Sequence, residues 1–171
     1  MNDNQEIYFE VENLTSLKSL KEYVSQGFVF HGSPNGNISI LEPRPAVDID
    51  KSNAFNNDTA VFASLSPIAA ILIACMSFVP IPPEKRKGSW SIGSSDKDNC
   101  ITARIPSKWR PFITTNHGFV YVLSGESFRG ENESGWQAKT KSAVVPISKF
   151  EVAFEDFERL GGLIEWMGEE E

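Results

Sequence analysis

The chain has 171 residues, 40% of them apolar, which is enough for one packed domain and too little for two domains of ordinary size. Its net charge of −7 argues against a protein whose whole surface binds nucleic acid or an anionic membrane, because such binding needs clustered positive charge. Residues 149–171 hold eight acids and two bases, whereas residues 85–110 hold seven bases and two acids. The second segment could therefore meet an anionic ligand.

The sequence carries no pattern of a membrane-spanning or exported protein. The longest apolar run, Ile68–Met76, is far shorter than the roughly 20 residues that a membrane helix needs, and the first residues lack the features of a secretory signal. We expect a cytoplasmic protein without a membrane partner, whose Cys75 and Cys100 are reduced thiols. His31 and His117 are the only histidines, and no carboxylate spacing completes a ligand set, so no metal is expected.

The first half of the chain alternates helical and strand patterns. Apolar spacing predicts a helix over Thr15–Gln26 and a strand over Phe28–Phe30 that ends in His-Gly-Ser. Proline, asparagine and aspartate dominate Leu41–Asn57, which we interpret as a long surface loop. A strand over Ala60–Leu65 leads to a helix from residue 66 to about residue 78, and this helix is apolar on nearly every side. Such a helix belongs in the core.

The second half is mainly strand. Residues 84–99 resemble a loop with one hairpin near Trp90 and Ile92. The remaining elements are strands at Cys100–Ile105, Phe119–Leu123, Ser142–Ile147 and Phe150–Phe154, and a last helix at Phe157–Met167. The late strands lack intervening helices, so we predict an α+β fold with a mostly antiparallel sheet. A single domain would cover residues 1–171, with an acidic C-terminal helix and tail from about residue 155.

The sequence lacks the phosphate-binding glycine loops, the nucleophile elbow and the zinc-binding spacings of common enzymes. What stands out is His31-Gly32-Ser33 at the end of an apolar strand. Gly32 would let a flat ligand approach the main chain, whose N–H and C=O groups can pair with a carboxamide. The alternative is a structural histidine, with glycine and serine merely turning the chain.

Residues 28–33, followed some 28 residues later by Val61-Phe-Ala-Ser64 and a core helix, resemble the ADP-ribosyltransferase family in its diphtheria-toxin-like and poly(ADP-ribose) polymerase-like branch. The resemblance implies a split antiparallel β-sandwich with flanking helices, and NAD as substrate. By similarity, His31 would bond the ribose hydroxyls, the Gly32 backbone would pair with the nicotinamide carboxamide, and Ser33 would help to hold the ribose. The implied pocket wall consists of Phe62, Ala63 and Ser64.

The sequence also departs from the family pattern. The family's leading tyrosine falls on Val61, and its amide-contacting serine and second stacking tyrosine fall near Ala69 and Leu72. The catalytic glutamate of the family lies on a late strand, which we assign to residues 139–146. This alignment puts Lys141 or Ser142 at the carboxylate position, with Gln137 as the nearest polar substitute, and a lysine there would oppose a positive charge developing on the ribose.

Arg44 is the candidate for the pyrophosphate, since arginine offers paired donors and two prolines stiffen its backbone; the alternative is an exposed loop arginine. The Lys85-Arg86-Lys87 run could steer an anionic macromolecule or be a solvated face.

Three hypotheses follow. The first is an enzyme that breaks the bond to nicotinamide in NAD and passes ADP-ribose to a protein, a nucleic acid or water. The second is a degenerate module that binds NAD, ADP-ribose or another protein, and the third is an interaction protein that uses its acidic C-terminal helix.

Overall fold

The computed structural model describes residues 17–46, 51–95, 100–130 and 135–168. Its α-helices within these ranges are α1 (Leu17–Ser25), α2 (Pro67–Met76), α3 (Arg110–Ile113) and α4 (Phe154–Arg159). Its strands are β1 (Phe28–Ser33), β2 (Arg44–Pro45), β3 (Thr59–Ser64), β4 (Ser91–Ser95), β5 (Cys100–Pro106), β6 (His117–Ser124), β7 (Gln137–Thr140), β8 (Ser148–Ala153) and β9 (Leu163–Met167). Short 3-10 helices cover Pro83–Lys85 and Ser107–Trp109.

The strands form two sheets. The larger sheet is antiparallel throughout and has the strand order β2-β3-β1-β6-β8, with β7 also paired to β3. The smaller sheet has the order β4-β5-β9, in which β4 and β5 are antiparallel and β5 and β9 are parallel. The prediction of an α+β fold with a mostly antiparallel sheet is therefore confirmed.

Helix α2 is the centre of the core, as its apolar sequence predicts. Ser66 caps it by accepting the Ala69 N–H at 3.4 Å, and Pro67 occupies the first turn, where its missing N–H costs nothing. Eight of its ten residues are buried. One apolar cluster joins them to side chains of both sheets, such as Val120 of β6 and Ile105 of β5.

Two glycines let α2 approach the larger sheet at backbone distance. A Cβ atom on Gly32 of β1 would lie 2.1 Å from the Ala70 carbonyl oxygen, and one on Gly118 of β6 would lie 2.7 Å from the Ala74 Cβ. Both distances are far below an ordinary van der Waals contact. The helix therefore fixes glycine at position 32, in the middle of the motif that the sequence singles out.

The strand predicted at Ser142–Ile147 is wrong. The strand in this part of the chain is β7, which ends at Thr140, and only Val144 makes a strand-like pairing, with Leu41. Its N–H and C=O both bond to Leu41, at 2.9 and 2.8 Å. Pro146 has no N–H to offer a ladder, so this apolar run closes a loop instead of joining the sheet.

The last helix is also shorter and earlier than predicted. Helix α4 ends at Arg159, and residues 163–167 form β9 rather than the second half of a helix. Gly161, at φ +100°, turns the chain, and the α-carbon of Gly162 lies against the Phe157 ring, so the glycine pair ends the helix instead of kinking it. The acidic helix that the interaction hypothesis uses is therefore α4, which carries the exposed Glu155 and Glu158, and the acidic residues 169–171 lie outside the described ranges.

Smaller differences occur in the connecting segments. The predicted loop at Leu41–Asn57 contains the short strand β2, and α3 follows β5 where no helix is predicted. No helix within the described ranges is long and apolar enough to cross a bilayer. Cys75 and Cys100 are both free, and burial raises the pKa of the Cys75 thiol to about 12, so that this side chain packs as a small apolar group.

Candidate functional site

A cleft of about 420 Å³ opens where β1 and β3 separate. The two strands pair at a single position, Phe30 opposite Ser64. They separate beyond this pair, along the residues of β1 that follow Phe30. The end of β1, the loop after it, β2 and the first half of β3 line the cleft. Its volume is in the range of small-molecule sites, and it lies against the His-Gly-Ser motif.

His31 lines this cleft as a neutral acceptor. Its Nδ1 lies 2.8 Å from the Phe62 carbonyl oxygen, across the gap between the strands. Burial lowers the pKa of His31, and the nearby Arg44 charge lowers it further, against the opposing effect of the Phe62 bond. A neutral imidazole that donates from Nδ1 has an unprotonated Nε2. His31 can therefore accept a hydrogen bond from a ligand hydroxyl.

The loop wall of the cleft is fixed by a buried tyrosine. The Tyr121 hydroxyl donates to the Asn35 carbonyl at 2.7 Å and accepts the Ile38 N–H at 3.1 Å. Burial raises the pKa of Tyr121, so the group stays a protonated phenol. Ser33 Oγ also accepts the Asn35 N–H, at 3.1 Å, which tightens the turn out of β1. These bonds preorganise the loop that faces His31.

The cleft carries one cation and one anion on the described residues that line it, Arg44 and Glu42, and both are exposed. The nearby pair of Asp58 and Lys139, whose charged atoms are 2.9 Å apart, is not part of the lining. Side-chain bonds from Lys139 and Lys141 hold the pKa of Asp58 well below its usual range. Arg44 and Glu42 are thus the charges that a ligand in the cleft would meet first.

The structure brings four of the predicted site residues together and leaves five outside the cleft lining. Those that line it are His31, Ser33, Arg44 and Phe62. Those that do not are Gly32, Ala63, Ser64, Gln137 and Ser142.

The residues of β1 and β3 outside the lining have structural contacts. The α-carbon of Gly32 faces α2, and Ala63 packs in a second apolar cluster with Tyr121. The Ser64 hydroxyl donates to the Ser66 carbonyl at 2.7 Å, next to the helix cap. The contacts of these three residues therefore connect the motif to the core.

The strand register places Gln137 and Ser142 away from His31. Gln137 pairs with Ser64, while its neighbour Ala138 packs in the cluster of Tyr121, which is opposite His31 in register. Because side chains alternate between faces, Gln137 and His31 lie on opposite faces of the larger sheet. Ser142 is exposed, beyond the end of β7, and its N–H bonds to the Thr140 hydroxyl.

The positions where the family pattern has other ligand contacts are also informative. Val61 lines the cleft, whereas Ala69 and Leu72 are fully buried in the core cluster around α2. Sequence reasoning missed Glu42 and the anchoring role of Tyr121. Glu42 lies two residues before Arg44, in the same proline-flanked stretch. Residues two apart on an extended segment point to the same side, and this spacing is the signal that could have identified Glu42.

Comparison with protein-family models, with curated proteins and with solved structures finds no match to this chain. Among the described residues, no group of three or more His, Cys, Asp or Glu side chains could hold a metal ion. The features of this chain that point to a function are therefore the cleft and the resemblance of residues 28–33 and 61–64 to the ADP-ribosyltransferase pattern.

Proposed function

We propose that the cleft binds NAD and that the chain is an ADP-ribosyltransferase-like protein, which passes ADP-ribose to a macromolecular acceptor and releases nicotinamide. The fold would then be a variant of the split antiparallel sandwich of that family. The observation that carries the proposal is the position of His31 at the gap between β1 and β3, where its Nδ1 donates to the Phe62 carbonyl oxygen at 2.8 Å and leaves Nε2 as the acceptor. Its free acceptor suits a ribose hydroxyl, and a protonated imidazole would not accept that bond.

The charges of the lining suit the rest of the substrate. Arg44 is two strands away from His31 in the larger sheet and contributes to the same cleft, where a guanidinium pairs well with a pyrophosphate. Ser33, at the end of β1, offers a hydroxyl on the same face of the strand as His31. His31, Ser33 and Arg44 would hold NAD by its ribose and its phosphates, so that nicotinamide is free to depart.

The reaction is a glycosyl transfer. The bond between the ribose carbon and the nicotinamide nitrogen breaks, its electron pair leaves with neutral nicotinamide, and the acceptor attacks the ribose carbon and loses a proton. Positive charge develops on the ribose, so a carboxylate nearby lowers the barrier. Within the described lining Glu42 is the one carboxylate, and we assign it this role.

Isothermal titration with NAD and with ADP-ribose, combined with chromatographic measurement of released nicotinamide, tests the proposal. His31→Ala should abolish binding of both ligands, whereas His117→Ala, at an exposed position outside the cleft lining, should bind them like the unmodified protein. If the unmodified protein binds neither ligand, or if both histidine variants lose binding equally, the proposal is wrong.

The role of Glu42 needs a separate variant. Glu42→Gln keeps the size of the side chain and removes its charge, so NAD should still bind while nicotinamide release with water as the acceptor falls by about fivefold, because one charge contact of about 4 Å in open solvent contributes about 1 kcal/mol. Release that stays within about twofold of the unmodified protein would exclude Glu42 from the chemistry.

A second function is favoured by one specific observation. Strand β7 reads Gln-Ala-Lys-Thr and carries no carboxylate, and Lys139 is already paired with Asp58. A chain without the late-strand glutamate of the family could bind NAD or ADP-ribose as a module without turnover. Binding that depends on His31, together with nicotinamide release no faster than in buffer, would identify this module.

A further inference from the structure

We infer that a basic and aromatic surface formed by residues 78–87 and 107–116 binds single-stranded nucleic acid. The inference is independent of the proposed function, since it concerns another part of the molecule. Two hydrogen bonds join the two segments. The Trp109 indole N–H donates to the Lys85 carbonyl at 2.8 Å, and the Asn116 amide donates to the Phe78 carbonyl at 3.1 Å.

Joining the segments gathers positive charge on one surface. The cations that they bring together, called here the basic face, are Lys85, Arg86, Lys87, Lys108 and Arg110. The two segments contain a single acid, Glu84, in a chain whose net charge is −7. Four of the five cations are exposed, and Lys108 is half-buried. A local concentration of cations on an acidic protein favours the binding of a polyanion at that surface.

Aromatic side chains accompany these cations. The Phe78 side chain is 72% exposed, the largest exposure of any bulky apolar residue described. The Lys85 ammonium lies 5.3 Å from the centroid of the Phe112 ring, and the Arg110 guanidinium lies 5.1 Å from that of Trp166. Cations that track a phosphate backbone, next to an open ring on which a base can stack, are the features of single-strand binding sites.

The exposed ring of Phe78 also distinguishes between possible polyanionic partners. An acidic peptide would use the cations and leave Phe78 without a flat surface to stack on, and duplex DNA would present phosphates but keep its bases stacked inside. A single strand uses both features. Its bases all have a flat face, so we expect little sequence preference.

The basic face lies at the same end of the larger sheet as the cleft. Residues 107–116 lead directly into β6 at His117, and Phe119 of β6 is paired with Ser33 at the end of β1. Helix α2 also ends here, because the Asn116 amide bonds to the Cys75 carbonyl at 2.9 Å. A strand bound to the basic face would therefore approach the end of β1 that carries the His-Gly-Ser motif.

Fluorescence anisotropy with a labelled 20-nucleotide oligothymidylate tests the inference. We expect a dissociation constant of about 10 μM or tighter at 50 mM salt and a slope of about −3 for log K against log[salt], since each neutralised phosphate of a single strand contributes about −0.7. A 20-base-pair duplex should bind at least about fivefold more weakly. Equal binding of the duplex, of a 20-residue polyglutamate peptide, or of vesicles containing phosphatidylserine would overturn the inference.

Two variants locate the contact. Lys87→Ala combined with Lys108→Ala should make the salt slope shallower by about 1.4, whereas Lys21→Ala combined with Lys51→Ala, which removes equal charge outside the basic face, should leave it unchanged. Phe78→Ala should weaken binding about fivefold or more through lost stacking, and Val145→Ala, at another exposed apolar position, should not. Equal effects of test and control variants would overturn the inference. NAD titration of the same proteins reports separately on the cleft.

Discussion

Replacing Gly32 by alanine tests whether helix packing or ligand contact fixes this glycine. The new Cβ atom would lie 2.1 Å from the Ala70 carbonyl oxygen and 2.8 Å from the Ala74 amide nitrogen, both backbone atoms of α2. An ordinary contact is 3.4 Å or more, so the helix or β1 must move by more than an ångström. Neither can yield easily, because α2 is buried in an apolar cluster that includes side chains of both sheets.

The expected cost is at least about 3 kcal/mol, the upper part of the range for overpacked cores. For a domain of this size that loss lowers the melting temperature by about 6–12 °C. Gly93→Ala is the matched control, since a Cβ atom on Gly93 of β4 meets nothing within 4 Å, and it should change the free energy of unfolding by less than about 1 kcal/mol.

Urea denaturation followed by circular dichroism measures both variants. A Gly32→Ala protein as stable as the Gly93→Ala protein would refute the packing argument. If that stable variant also lost NAD binding, the glycine would be explained by a ligand that needs the bare backbone, as the family resemblance implies for this position.

Three further predictions concern His31, the Tyr121 hydroxyl that holds the loop facing it, and the Asp156 carboxylate at the start of α4. The folded protein should lose stability as the pH falls below about 6.5, by at most about 1.4 kcal/mol per pH unit, because the unfolded chain then protonates His31 while the folded chain, whose His31 pKa is lowered, does not. The urea midpoints measured at pH 5.5 and at pH 7.5 should therefore be closer together in His31→Gln than in the unmodified protein. A midpoint difference that is retained in His31→Gln but lost in His117→Gln would contradict this. Tyr121→Phe should cost about 1–3 kcal/mol in urea unfolding and weaken NAD binding, since it strips the loop of both hydroxyl bonds, and unchanged values would show that the loop holds without them. Asp156→Ala should cost about 1–3 kcal/mol, because this fully buried carboxylate accepts the Ala153 N–H at 2.7 Å, and a thermal shift below 2 °C would count against it.

Local signals were sufficient for the elements whose sequence has one interpretation. Ser66 and Pro67 mark the start of α2, its apolar composition implies burial, and the prolines after it end the helix. The existence, the first residue and the buried environment of α2 can therefore all be predicted. The strand that carries His31 was similarly clear, because three apolar strand formers precede a glycine and a proline-containing turn.

The elements that failed depend on contacts distant in the chain. The segment Leu163–Met167 fits a helix as well as a strand, and it becomes β9 because β5, some 60 residues earlier, offers a parallel edge. Val144 has strand propensity, yet its partner Leu41 lies in a loop, so a single pairing forms and no ladder follows. Propensity alone carries no information about which edge is free.

The sequence predicts the central residues of the candidate site but not the full set of residues that form the cleft. His31 and Arg44 were singled out by their neighbours in sequence, and both line the cleft. The prediction of Gln137 depends on a strand register that a short strand cannot fix, since a shift of one residue moves a side chain to the other face of the sheet. The sequence does not identify Glu42 and Tyr121, because their roles depend on how the loop folds back across β1 and β6.

The exposure of Glu42 sets the conditions under which the proposed reaction can be fast. Two unit charges 4 Å apart interact by about 1 kcal/mol in bulk water and by about 4 kcal/mol near a protein surface from which water is partly excluded. Glu42 and Arg44 are both exposed in the free protein, so the carboxylate gives little stabilisation to a positive ribose until something covers the cleft. A difference of about 3 kcal/mol is a factor of more than 100 in rate. An acceptor that covers the cleft would therefore both supply the nucleophile and strengthen the electrostatic stabilisation, and water alone, which covers nothing, would be a poor acceptor.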